Sequence, residues 1–222
     1  MFRKFFIGAA TITASLVFAA PSLAASCGPA GYAYAGLASD DNVYGVSTTL
    51  TMLSQAQIEN GHVAGWIGVG GPGLGPNGSD EWIQVGMSAL PWSLEGHIYV
   101  EVQAPSGYKY TEVGPALVVG QAHNVAITET APAEWQVVVD GQAWGAPVAL
   151  PGSHGEWQLI ATGESWDGGK PSCNRFAYKF EQIKLQKRFG GAWRIMKNAS
   201  PIESDGYSIS QQATAGFVAT TT

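Results

Sequence analysis

The sequence predicts an all-β fold, two antiparallel sheets packed face to face, rather than any helical class. Three observations carry that expectation. Stretches rich in Val, Ile, Thr, Tyr and Trp recur at near-regular spacing along the 222 residues. Clusters of Gly, Pro, Asn and Asp separate them, as hairpin turns require. No helical segments alternate with the stretches, which removes the parallel-sheet classes and leaves a sandwich or barrel.

The first segment, MFRKFFIGAATITASLVFAAPSLAA, stands outside that pattern. Arg3 and Lys4 give a basic start, an apolar run follows, and Ser22-Leu23-Ala24 forms a small-x-small cleavage site. Residues 1–25 are therefore expected to be a signal peptide and residues 26–222 a single β-sandwich domain of a secreted protein. No second apolar span follows, so no membrane association is expected once the signal is removed.

Strands are expected over residues 32–37, 43–53, 64–69, 81–87, 97–103, 110–113 and 124–130. Further strands are expected over 134–139, 157–162, 176–185, 192–196 and 207–219. Residues 50–58 could be argued as a helix, but a strand running into a loop suits them better. Between two of the strands lies WIGVGGPGLGPNGSDEWIQVG, in which Gly68, Gly70 and Gly73 spell G-x-G-x-x-G. A dinucleotide site needs a helix after such glycines to hold the pyrophosphate. Pro72, Pro76 and the run that follows forbid one, so the segment is a hairpin loop and no phosphate site.

Alternation along the strands sorts their side chains into two faces. Ile83, Val85 and Met87 form a core set, as do Ile98, Val100 and Val102. The opposite sets bring together Trp66, Trp82, Gln84, Tyr99 and Glu101, with Gly68 and Gly86 leaving a depression among them. Such a concave aromatic face suits a polymer ligand, either a polypeptide or a polysaccharide.

Cys27 and Cys173 are the two cysteines, and in an exported protein they are expected to form a disulfide. A net charge of −6 with scattered Lys and Arg argues against a nucleic-acid partner. Neither G-x-S-x-G nor H-E-x-x-H occurs, and no metal or cofactor is expected. The chain is expected to act as a monomer.

Several short motifs occur in a consistent order: Gly65-Trp66-Ile67-Gly68-Val69, Trp82-Ile83-Gln84-Val85-Gly86, Ile98-Tyr99-Val100-Glu101-Val102 and Val119-Gly120-Gln121. In that order, from Tyr32 onward, the chain resembles the glutamic peptidases (eqolisins), secreted acid endopeptidases. The resemblance implies their concanavalin A-like jelly-roll sandwich and assigns Gln84 to the family's catalytic glutamine. The catalytic glutamate has three competitors: Glu134, Glu156 and Glu164. Glu134 precedes the Gly141-Gln142 turn and falls in the wrong strand. Glu164 keeps a family-like separation from that turn and is preferred over Glu156, although Ser165 displaces the aromatic that follows the family's glutamate. No stretch long enough for the family's prosegment lies between the expected cleavage site and Tyr32.

The resemblance implies an acid endopeptidase in which Glu164 activates water and Gln84 steadies the oxyanion. Trp66, Trp82, Tyr99, Glu101 and Trp166 would contact substrate. Gln84 and Glu164 should then face one aromatic-lined groove. Two alternatives use the same face. A lectin-like binding module would stack glycans on Trp66, Trp82 and Tyr99 without catalysis. A glycoside hydrolase would pair Glu101 with Glu164 or Glu156 across one cleft.

Overall fold

The computed structural model describes residues 31–168, 173–212 and 215–222. In chain order the strands are β1 (Tyr32–Asn42), β2 (Gly45–Met52), β3 (Gln57–Ile58), β4 (His62–Gly71), β5 (Glu81–Leu90) and β6 (Ser93–Ala104). Next come β7 (Gly107–Ala116), β8 (Ala122–Ala131), β9 (Glu134–Val139), β10 (Gln142–Ala149), β11 (Gln158–Trp166) and β12 (Asn174–Arg175). The last five are β13 (Ala177–Gln186), β14 (Arg194–Ile195), β15 (Ala199–Glu203), β16 (Tyr207–Gln212) and β17 (Gly216–Thr221). One sheet runs β15-β1-β11-β4-β5-β6-β7, and the other β10-β9-β8-β2-β13-β17-β16 with β14 beside β13. All pairings within both sheets are antiparallel. A small β12-β3 pair stands apart. Among the described residues no helix is long and apolar enough to cross a membrane.

The core forms where the inward sets of the two sheets meet. Ile67, Ile83, Val85 and Met87 from the first sheet and Leu50, Ile127, Phe180 and Phe217 from the second are all completely buried. Full burial stabilises each of these side chains by about 1.5–3 kcal/mol. The alternation expected for β5 and β6 is the one observed, because a one-residue slip would turn every core side chain out to solvent.

Some boundaries differ from the sequence expectation. Residues 207–219 form a hairpin rather than one strand: β16 folds back on β17, and Ala215 takes a left-handed φ of 46°. Of 192–196 only Arg194–Ile195 pairs. Strands β10 and β15 were not expected, since Gly145 and Pro147 interrupt the one and Pro201 the other. Both lie at sheet edges, where a missing N–H costs no ladder bond. The glycine-rich segment after β4 is a hairpin loop, with left-handed φ at Gly73, Asn77 and Gly78 and, at the end of β4 itself, at Gly70. It contains only a single 3-10 turn, Pro76–Gly78. It is pinned by Gly73 N–H to Asp80 Oδ1 at 2.8 Å and Trp157 Nε1–H to the Leu74 carbonyl at 3.3 Å.

Candidate active site

Four neighbouring strands of the first sheet carry the candidate residues in register. Gly68 on β4 pairs with Gln84 on β5 and Ile160 on β11, and Gln84 pairs in turn with Glu101 on β6. Two positions along, Thr162, Trp66, Gly86 and Tyr99 form the next row. Glu164 stands opposite Ala64 and Tyr34, one further row away. Residues two apart share a face, so all of these outward side chains stand on one surface.

The glycines on that surface make room for its largest side chain. A Cβ on Gly86 would lie 2.1 Å from the Gly65 carbonyl oxygen and 2.6 Å from Trp66 Cβ. A Cβ on Gly68 would lie 2.9 Å from Gln84 Cβ and 3.2 Å from the Trp66 ring. With both positions bare, a cavity of about 320 Å³ opens over the sheet. Trp66, Gln84, Ile160, Thr162 and Glu164 line its floor. Tyr32, Tyr34 and Ile202 line it from the β1 and β15 side, Trp82 and Glu101 from the other, and Pro72 from the hairpin loop.

Both polar groups are held by partners. Trp66 Nε1–H donates to Glu164 Oε2 at 3.0 Å, and His62 Nε2 lies 3.2 Å from Oε1 of the same carboxylate. Gln84 Nε2–H donates to the Tyr99 hydroxyl at 3.1 Å, which leaves its second amide hydrogen free. Their register offset is four residues along β4, and the row between them carries a partner of each. Gln84 is bonded to Tyr99 and Glu164 to Trp66, and those two partners stand in the same row. Glu164 and Gln84 are 5% and 8% exposed, so a group bound between them would be largely shielded from water.

The surrounding titratable groups feel this burial. Desolvation, then the Glu164 and Glu101 charges, raise the Tyr99 phenol well above its usual range, so it stays neutral. Tyr34 is raised as well, by burial first and the Glu164 charge second. Burial also pushes the Glu101 carboxyl up, and repulsion from Glu164 adds to it. Hydrogen bonds from Trp82, at 3.1 Å, and from Tyr108 oppose that rise. Glu101 is thus a carboxyl whose ionisation is opposed by burial and by the Glu164 charge in the same cavity.

Of the residues singled out from sequence, Trp66, Trp82, Gln84, Glu101 and Glu164 line the cavity. Tyr99 does not: it is 2% exposed and stacks on Tyr110 with centroids 5.3 Å apart, so only its hydroxyl serves the site, through Gln84. Trp166 is 38% exposed and stacks on His62 at 5.5 Å, beyond the cavity lining. Glu156 is exposed in the turn before β11, away from the cavity, and Glu134 is exposed at the start of β9. Cys173 is buried, while its expected partner Cys27 lies outside the described residues. The expected signal peptide, residues 1–25, also lies outside them.

Sequence reasoning passed over His62, Tyr32 and Tyr34. His62 shares parity with Trp66 on β4, and Tyr32 and Tyr34 alternate with alanines on β1, so period-two counting would have found all three. Among the described residues no three His, Cys, Asp or Glu side chains are gathered as a metal site.

No family model matches the sequence, and no curated protein matches it either. Solved structures do. A crystal structure of scytalido-glutamic peptidase with a transition state analog inhibitor superposes with a TM-score of 0.56 at 12% identity, covering 86% of this chain and 98% of that one. SCP-B, a member of the eqolisin family of peptidases solved with the tripeptide Ala-Ile-His, gives 0.53 at 13% identity over the same shares. At such identity the likeness establishes architecture. The chain has the two-sheet antiparallel jelly-roll sandwich of the glutamic peptidases.

Proposed function

We propose that this protein is a secreted acid endopeptidase working through Glu164 and Gln84. The observation that carries the proposal is the shared cavity. A buried carboxylate and a neutral carboxamide line one 320 Å³ hollow, each held by a hydrogen bond to one row of the sheet. Glu164 takes a proton from water as the water oxygen attacks the scissile carbonyl carbon. The free amide hydrogen of Gln84 donates to the oxyanion of the tetrahedral intermediate. The C–N bond then breaks as Glu164 returns the proton to the leaving nitrogen. Trp66 and His62 fix the carboxylate, and Tyr99 fixes the carboxamide. Tyr32, Tyr34 and Trp82 provide apolar walls for substrate side chains. The compared peptidases hold a transition state analog inhibitor and a tripeptide respectively, which suits a peptide ligand here as well.

One observation favours a second reading. Glu101 lines the same cavity as Glu164, and its raised carboxyl is what a glycosidase's general acid requires. Hydrolysis of casein at acid pH, measured beside a polysaccharide panel, separates the two. Peptide products that disappear in Glu164→Gln support the peptidase. Reducing sugars without peptide products support the glycosidase and overturn the first reading.

A further inference from the structure

The second sheet has an outer face of different character. Two adjoining hollows of about 160 and 380 Å³ lie on it and share Ser47, Ala126, Val138 and Lys184. The register explains the groove: Ser47 pairs with Ala126 and Lys184, and Ala126 pairs with Val138, so short side chains line up across β2, β8 and β9. From Gly45 to Thr49 along β2 the groove extends ~13 Å, enough for a short run of sugar rings.

Its walls combine an aromatic plate with oriented polar groups. Trp193 is 39% exposed and lies against the bare face of Gly45, where a Cβ would come within 2.9 Å of its ring. Beside it the Thr128 hydroxyl donates to Gln186 Oε1 at 2.9 Å, and Gln186 Nε2–H donates to the Gly191 carbonyl at 2.7 Å, which locks that end. At the far end the Thr49 hydroxyl donates to Asn124 Oδ1 at 2.8 Å, leaving the Asn124 amide hydrogens to face outward. A flat indole, hydroxyls and an amide on a rigid sheet suit the apolar ring faces and hydroxyl edges of a saccharide.

Charge selects among saccharides. Lys184 is the sole charged residue among those lining the two hollows, and no salt bridge engages its ammonium among the described residues. The cavity on the other sheet is the reverse, with two carboxylates and no Lys or Arg in its lining. One ammonium beside a stacking plate fits a carboxylated sugar, whereas a nucleic-acid backbone needs several cations in series. We propose that this groove, built on β2, β8, β9 and β13 with Trp193 and Lys184, binds a uronic-acid polysaccharide. The site is independent of the peptidase reading, since it lies on the other sheet.

Affinity electrophoresis of the folded protein through gels containing polygalacturonate, neutral dextran or polyglutamate tests the proposal. Polygalacturonate should retard the wild type most. Trp193→Ala should weaken that retardation roughly tenfold, the loss of one aromatic anchor. Lys184→Gln should remove the preference for polygalacturonate over dextran. Melting temperatures guard against misfolded variants, and indole N–H signals locate the contact: shifts induced by a galacturonate oligomer should centre on Trp193. The proposal is overturned if no gel retards the protein, if polyglutamate retards it equally, or if the shifts fall on Trp66 and Trp82 instead.

Discussion

Substituting alanine at Gly86 should damage this protein far more than the same change at Gly68. A Cβ at 86 would stand 2.1 Å from the Gly65 carbonyl oxygen and 2.6 Å from Trp66 Cα, both fixed in the adjacent strand. Restoring ordinary contact distances requires strands β4 and β5 to part by about 1 Å, since non-bonded atoms rest near 3.5 Å. That movement strains ladder bonds on either side of Trp66, and a loss of about 3 kcal/mol, the upper end for overpacking, is expected. At Gly68 the worst contacts are 2.9 Å, to Gln84 Cβ and the Ile83 carbonyl oxygen, so a shift of about 0.6 Å suffices. About 1 kcal/mol should be lost there. Urea unfolding of both variants beside the wild type measures the difference. If Gly86→Ala proves as stable as Gly68→Ala, close approach of β4 and β5 does not shape the site as argued.

The raised Glu101 carboxyl makes stability depend on pH. A folded-state value above the unfolded one means the native protein binds the extra proton, so this contribution is complete below the ordinary carboxyl value and is lost as pH rises through the raised one. Thermal melts should show that Glu101→Gln flattens the fall in stability just above the usual carboxyl range; an unchanged slope would contradict this. Ser153→Ala should cost about 1–3 kcal/mol in denaturant melts, because the buried Trp135 Nε1–H, 2.7 Å from the Ser153 hydroxyl, would lose its acceptor. A Cys27–Cys173 disulfide in the exported protein should contribute roughly 4–5 kcal/mol for so long a loop. Mass spectrometry of the secreted protein should find no free thiol, and two free thiols would remove that bridge from the account.

The parts of the fold that follow from period-two alternation were legible in the sequence. In β5 and β6 Ile83, Val85, Met87, Ile98, Val100 and Val102 claim one face, so Trp82, Gln84, Tyr99 and Glu101 had to share the other. The proline-rich hairpin loop was legible for a similar reason, since Pro72 and Pro76 leave no helix to build. Strands β10 and β15 escaped notice because edge strands tolerate Gly and Pro. Single-strand alternation also could not show that Tyr110 would cover Tyr99, because that depends on which strand lies beside β6. Alternation along β4 puts His62 on the same face as Trp66, but not beside its partner. Its meeting with Glu164 is a contact across β4 and β11, fixed by register between strands far apart in sequence.

Turnover of a fluorogenic peptide at acid pH by the wild type, Glu164→Gln and Gln84→Ala tests the central claim most directly. Removing the base should lower kcat by about 10²–10⁴, and removing the oxyanion donor by about 10²–10³. Melting temperatures near that of the wild type would show that both variants remain folded. KM should change little, since neither group is assigned to ground-state binding. Folded variants that cleave the peptide at the wild-type rate would contradict the account.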